Sequence, residues 1–338
     1  MNKIYLAIPI IVLLTVVTGN SQSSDILNII NEGTSLHDQG NYKAAIEKYN
    51  EALKINPKSS TALYEIAYSL FAMNDFKTSI EYCNKTLKID KNHQDAYVVM
   101  GSSYDMSGDV KKSIKTYKKG LKRNPQSYLL QFNLGLSYMG LNDYSKAEKC
   151  AIKAIELNNS HSSSHLLLTN LHYIQYNRVK SLLAAYFFLL LEPNSSRSEK
   201  VLTMITEQLN QGVEKTSDTQ INVNINASEK EKEFQAADMM LSMLSASRIA
   251  ENEKNRSEIV LFKETSESFF NILAELMKAE NKDFYWDFYV KILSGISKAG
   301  HIEAYTYYIS QSKQTNEIEK WFEENPEKME DFRNWILN

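Results

Sequence analysis

The chain has 338 residues, 43% hydrophobic and 23% charged, the balance of a folded protein and not of a disordered one. Its formal net charge of −3 and isoelectric point near 6.1 argue against a nucleic-acid binder, which needs a basic surface. Residues 1–21 read as a secretory leader. Lys3 supplies the positive start, Ile4–Val17 gives 14 largely apolar residues, and Val17-Thr18-Gly19 offers small residues for cleavage. A spanning helix needs about 20 apolar residues, so an uncleaved anchor is the weaker reading. No cysteine stands near the cleavage position, so a lipid anchor has no support. The expectation is an exported chain, periplasmic or secreted, whose mature form begins between Asn20 and Gln22 and keeps no integral membrane span.

The next 170 residues repeat. Pro57, Pro125 and Pro193 lie 68 residues apart, twice a period of 34. Gly33, Ala67, Gly101, Gly135 and Thr169 form a column small enough for two helices to approach closely, and Leu36, Leu70, Tyr104, Tyr138 and His172 share its helical face three residues on. A second small column runs Ala45, Ser79, Ser113, Ala147 and Ser181, followed by Tyr49, Cys83, Tyr117, Ala151 and Ala185. Gly40-Asn41, Asn74-Asp75, Gly108-Asp109 and Asn142-Asp143 mark the turns of four hairpins with residues that tolerate turn geometry. The fifth departs: Gln175-Tyr176-Asn177-Arg178 lacks the turn signal, and Phe188 replaces a small residue.

These columns resemble the tetratricopeptide repeat family over residues 26–195, as five consecutive repeats. The resemblance implies an all-α superhelix of helical hairpins whose concave face binds a protein or peptide. It assigns to that face Ile30, Thr34, Tyr64, Tyr68, Phe71, Val98, Ser102, Phe132, Leu136, Met139, Leu166, Asn170 and Tyr173. Family members that clamp a C-terminal carboxylate place Lys, Asn and Arg there, and these are largely missing. The groove therefore reads as apolar and aromatic, suited to a hydrophobic helix or extended peptide, unless the chain's own C-terminal domain covers part of it. Cys83 and Cys150 are nearly two repeats apart, too far to pair, and read as small buried hydrophobes.

Leu182–Leu191 is apolar on every side of a helix yet far too short to span a membrane. A solenoid end facing water needs a polar cap, so burial beneath the C-terminal domain is expected. Residues 196–228 read as a helix (Val201, Leu202, Ile205, Leu209) and a linker. Within the linker, Ile221–Asn226 alternates like a strand but has no evident partner, leaving a mobile linker or a β-augmentation edge. Residues 229–338 read as a helical domain. Ser228 with Glu231 fits a capping box, and helical patterns follow near Ile259–Lys278, Phe284–Lys298, Ile302–Ser312 and Asn316–Glu323, with a last helix after Asn325-Pro326.

Charge is divided unevenly. Residues 24–195 carry 20 Lys+Arg against 16 Asp+Glu, and residues 196–338 carry 17 against 25. The basic run Lys111, Lys112, Lys115, Lys118, Lys119, Lys122 and Arg123 is a solvated face or a surface for an anionic partner. His161, His165 and His172 have helical spacing, but no Asp, Glu or Cys completes a metal set, and His172 sits in a packing column. There is no HExxH, phosphate loop or GxGxxG, and Gly295–Ala299 lacks the strand that a nucleophile elbow requires. No cofactor, metal or catalysis is expected. The reading is a non-enzymatic interaction scaffold of the cell envelope. The alternative is an envelope enzyme or carrier with its site in the C-terminal helical domain.

Overall fold

The computed structural model describes residues 11–217, 220–223, 232–251, 256–278 and 283–337. Lys3 and the start of the apolar leader, and the Ser228/Glu231 capping pair, lie outside the described residues. Two compact units divide at Asp143/Tyr144. The repeat periodicity runs on to 195, but the fifth hairpin packs with the C-terminal helices, so the units part inside the fourth hairpin.

The N-terminal unit holds α1 (Ile11–Asp38), α2 (Tyr42–Ile55), α3 (Ser60–Ala72), α4 (Phe76–Ile89), α5 (Gln94–Met106), α6 (Val110–Arg123) and α7 (Tyr128–Gly140). The expected cleavage window, Asn20–Gln22, falls within α1. Most of these helices start where a side chain satisfies an orphan amide. Ser59 accepts from Ala62 N–H, Asp75 from Thr78, Asp109 from Lys112 and Ser127 from Leu130. The first helices pack on one another as one layer (α1 on α3, α3 on α5, α5 on α7), and α1, α3 and α5 pair with α2, α4 and α6, the second helices of their hairpins.

The small columns have a steric cause. A Cβ on Gly33 would lie 2.4 Å from Tyr49 Cε1, and one on Gly101 would lie 2.3 Å from Tyr117 Cε1. Both rings are fully buried. Where the first helix carries Ala67 in place of glycine, the second carries Cys83 in place of tyrosine. The two columns thus trade volume in the first three hairpins. The serines of the other small column serve buried polar groups: Ser79 Oγ donates to Ala67 O at 2.8 Å and lies 3.2 Å from Ser103 Oγ. One repeat later, Ser113 and Ser137 both donate to Asp105 Oδ2, at 2.7 and 2.6 Å.

The C-terminal unit begins with α8 (Tyr144–Leu157), α9 (Ser162–Ile174), α10 (Arg178–Leu191) and α11 (Ser196–Leu209). Strands β1 (Val213–Ser217) and β2 (Gln220–Val223) pair antiparallel, with Val213 opposite Val223. The described part of the alternating segment, Ile221–Val223, therefore has a partner, where the sequence showed none and left a mobile linker or a β-augmentation edge. The partner is the segment just before it, and both strands rest on α12 (Gln235–Glu251). Then follow α13 (Glu258–Leu276), a π-helix at Tyr285–Val290, α14 (Lys291–Lys298), α15 (Ile302–Ile309), a 3₁₀ turn at Gln311–Lys313, α16 (Asn316–Glu324) and α17 (Pro326–Leu337).

Helix α10 is the centre of this unit. Every residue from Leu182 to Leu190 is buried, against α9, α11, α12, α15 and the π-helix. Tyr186 is fixed at both ends: its hydroxyl lies 2.7 Å from Ser266 Oγ, and its carbonyl accepts from Tyr305 Oη at 2.9 Å. Arg178 is buried at the start of α10, where it donates to Ser242 Oγ and Leu209 O and faces Asp238 at 3.4 Å. Among the described residues no helix is long and apolar enough to cross a membrane.

The hairpin turns share one backbone feature. Gly40, Asn74, Gly108, Asn142 and Tyr176, spaced by 34, all have positive φ, from 57° to 83°. Tyr176 adopts it without the freedom of glycine, a conformation unusual for a bulky residue. The fifth turn keeps the geometry although its sequence hid it.

Candidate functional site

Along the first-helix layer of the N-terminal unit runs a chain of five rings, beginning at Tyr42, the first residue of α2. Tyr42 meets His37 at 5.0 Å between centroids, His37 stacks on Tyr68 at 4.6 Å, Tyr68 on Tyr64 at 6.1 Å, and Tyr64 meets His93 at 4.8 Å. The run starts in the first hairpin and ends at the N-cap of α5. His37 Nδ1 lies 2.8 Å from the buried Ser69 hydroxyl, which sets the plane of its ring. Burial lowers the His37 pKa against the pull of Asp38, so the ring is neutral and available for stacking. Tyr68 keeps 40% of its surface exposed at the middle of the run.

The face is acidic as well as aromatic. Burial pushes the Glu65 carboxyl up to about 7, with Asp38 and Asp95 adding like-charge repulsion. These three carboxylates are close enough to feel one another beside the ring stack. An acidic, aromatic surface attracts a cation through both charge and ring quadrupole.

The expected groove residues separate in this structure. Tyr64 and Tyr68 join the stack, and Leu136 is exposed. Thr34, Phe71, Val98, Ser102, Phe132 and Met139 are half-buried. Ser102 Oγ lies 3.0 Å from Tyr117 Oη, and Phe71 leans on Phe76 at 5.7 Å. Ile30 does not belong to the surface. It is 7% exposed and packs with Tyr49, Ala52, Ala62 and Ile66, because its short branched side chain stays between α1 and α3. Leu166 and Asn170 are half-buried and Tyr173 is exposed, on α9 of the C-terminal unit. His37, Glu65, Asp38, Asp95 and His93 were not anticipated from sequence. The signal was present, since His37 occupies the 34-residue column of Phe71 and Glu65 adjoins Tyr64.

The C-terminal unit contains the other titratable cluster. The π-helix turns Tyr285 and Tyr289 toward α9, where Tyr289 Oη donates to His165 Nδ1 at 2.7 Å and His165 Nε2–H donates to Asn159 O at 2.9 Å. His172 Nε2 lies 2.5 Å from Tyr285 Oη, which donates to Glu148 Oε1 at 2.7 Å. Lys180 sits 4.6 Å above the Tyr285 ring and pairs with Glu233 at 2.8 Å. Burial keeps His172 neutral despite Glu148, and burial and Glu233 push Asp283 up to about 6. His172 and Tyr285 are 1% and 2% exposed, so the centre of the relay is closed to solvent, while Glu148 and Glu233 keep its outer end at the surface. Its chemistry is that of a fastening between α9 and the π-helix. Among the described residues, no group of three or more His, Cys, Asp or Glu is arranged to hold a metal.

This fastening predicts acid sensitivity. Burial lowers the His165 pKa to about 4, below the ordinary 6.5. The unfolded chain therefore takes up the proton first, so stability is full above about pH 6.5 and declines as pH falls toward about 4. The loss from this one group reaches about 3 kcal/mol. Denaturant melts between pH 4 and pH 7 should show that slope, and His165→Gln should flatten it.

The chain matches tetratricopeptide repeat family profiles at residues 33–74, 60–93, 94–127 and 128–161. The last three begin at 60, 94 and 128, the register of the sequence columns. Among solved structures, that of Pseudomonas aeruginosa pilF is similar at 16% identity and TM-score 0.50, over 79% of this chain and 97% of that one. A thermophilic TPR protein of Thermus thermophilus is 20% identical over 54% of this chain and 98% of that one, with TM-score 0.47. YrrB, described as a TPR protein with an unusual peptide-binding site, is 16% identical over 57% of this chain and 97% of that one, with TM-score 0.41. A search of curated proteins finds no match.

Proposed function

We propose, since this chain belongs to the tetratricopeptide repeat family through residues 33–161, that it is a protein–protein interaction scaffold which captures a peptide segment on the first-helix layer of its N-terminal unit. The observation that carries the reading is the ring run through His37, Tyr68 and Tyr64, flanked by Glu65, Asp38 and Asp95. Aromatic anchors supply most of the energy of peptide docking. The carboxylates select a segment that alternates apolar and basic residues, which modifies the purely apolar groove expected from sequence. Tetratricopeptide folds are generally non-enzymatic interaction modules, and His172 and Tyr285 at the centre of the C-terminal relay are buried away from any substrate.

Export to the cell envelope is part of the proposal and rests on Lys3 and the apolar Ile4–Val17. Two synthetic peptides of equal length, one alternating Leu and Lys and one alternating Leu and Glu, test the binding face. Protein recovered from the native envelope serves for both questions, because its intact mass reads whether Met1 is retained. The basic peptide should bind and the acidic one should not. Tyr68→Ala should weaken capture about tenfold while shifting the melt by less than about 1 kcal/mol. Binding should tighten between pH 6 and pH 8 as Glu65 ionises, and Glu65→Gln should abolish that rise. Equal affinity for the two peptides, or for wild type and Tyr68→Ala, rejects the site. A mass that includes Met1 rejects export alone.

A further inference from the structure

The C-terminal unit contains a cavity of about 890 Å³, within the span of small-molecule sites of about 300–1,000 Å³. Its walls come from the end of α10 (Phe187, Leu190) and one side of α17 (Met329, Phe332, Trp335, Ile336). Phe187, Leu190, Met329 and Phe332 are buried, so the apolar walls are fixed by the core of the unit. Six polar residues join them: Asn159 and Ser160 before α9, and Asp287, Lys291, Arg333 and Tyr308. Among the described residues, neither Lys291 nor Arg333 forms an ion pair, and the Tyr308 hydroxyl makes no hydrogen bond. Asp287 and Lys291 cancel in formal charge, which leaves Arg333 as one net positive charge. That charge stands out in a region, residues 196–338, with 17 basic against 25 acidic residues.

We propose that this cavity binds an amphiphile with one anionic head and an apolar tail, that is, a long-chain carboxylate, with the head on Arg333 and Tyr308 and the tail along Phe187, Phe332 and Ile336. The occupant follows from chemistry. A peptide would bring a backbone amide at every residue, and each one buried without a partner is costly. Along Phe187, Leu190, Phe332 and Ile336 the side chains offer no partner for such groups, whereas an alkyl chain needs none. A carboxylate finds in Arg333 a planar donor fork matched to its two oxygens. The site is separate from the peptide face proposed above, and either can fail without the other.

The test uses the full chain and dodecanoate below its micelle concentration, followed by calorimetry. Dodecanol is the neutral control of equal tail length, and a leucine-rich hexapeptide with a free carboxylate is the competing class. We expect one saturable dodecanoate site and about tenfold weaker dodecanol. Arg333→Gln should reduce dodecanoate to the level of dodecanol, with the dodecanol affinity and the thermal melt unchanged, since Arg333 is exposed. Ile336→Glu should abolish both ligands. Non-saturable uptake, equal affinity for dodecanoate and dodecanol, an unaffected Arg333→Gln protein, or preference for the hexapeptide overturns the assignment.

Discussion

Gly101→Ala should destabilise the N-terminal unit by about 1–3 kcal/mol, although alanine is the better helix former by about 1 kcal/mol. The new Cβ would lie 2.3 Å from the Tyr117 ring, and Tyr117, at 1% exposure, has nowhere to move. Overpacking therefore outweighs propensity. Tyr117→Cys alone should cost about 3 kcal/mol, from lost burial and the cavity left behind. The double variant copies the Ala67/Cys83 combination of the second hairpin and should be less destabilised than the sum of the two single changes. Chemical denaturation of all four proteins measures the coupling. Strict additivity would mean that the two columns do not share one space.

A chain ending after Ser195 should aggregate or bind a hydrophobic dye. The cut removes α11–α17 and the π-helix, and so uncovers Tyr186, Phe187, Phe188, Leu189 and Leu190 of α10, all 9% exposed or less in the intact protein. Each such side chain contributes about 1.5–3 kcal/mol when buried. Arg178 would lose Ser242, Leu209 O and Asp238 together, stranding a charge beside apolar surface. Size-exclusion chromatography and dye fluorescence read the outcome. A monomeric fragment with the melting behaviour of the whole chain would show α10 to be stable without its cover.

What was legible in the sequence was what depends on local sterics. The glycine and alanine columns announce close helix approach, and turn residues at a constant spacing announce the hairpins, so the repeat register could be placed to the residue. Tyr176 escaped notice because its left-handed turn is imposed by the hairpin around it and not by its own preference. The π-helix was equally hidden. Phe284–Lys298 reads as an ordinary helical stretch, and the displaced turn exists where Tyr285 and Tyr289 reach His172 and His165, more than a hundred residues away. The alternation around strand β2 was legible, but it read as a linker because its partner, Val213–Ser217, carries no alternation of its own. On the proposed binding face, the family resemblance set Ile30 beside Tyr64 and Tyr68, whereas Ile30 is buried. Equal register does not give equal exposure when one side chain is short and the others are long. Tyr104, which its column marks as core, is only half-buried, and Tyr117 is the residue that fills the hairpin interior.

The burial of α10 bears on how such a chain can lengthen. An array of like hairpins grows when a 34-residue module is duplicated in the gene, provided that each end of the new module presents the surface its neighbours expect. Between the second and third hairpins that condition holds, because both sides show the same small columns. After Leu191 it does not hold. A sixth hairpin inserted there would have to displace α11, α12, α15 and the π-helix from α10, and would offer them no equivalent seat. Length variants of this protein should therefore differ by whole modules upstream of α9 and never between α10 and α11.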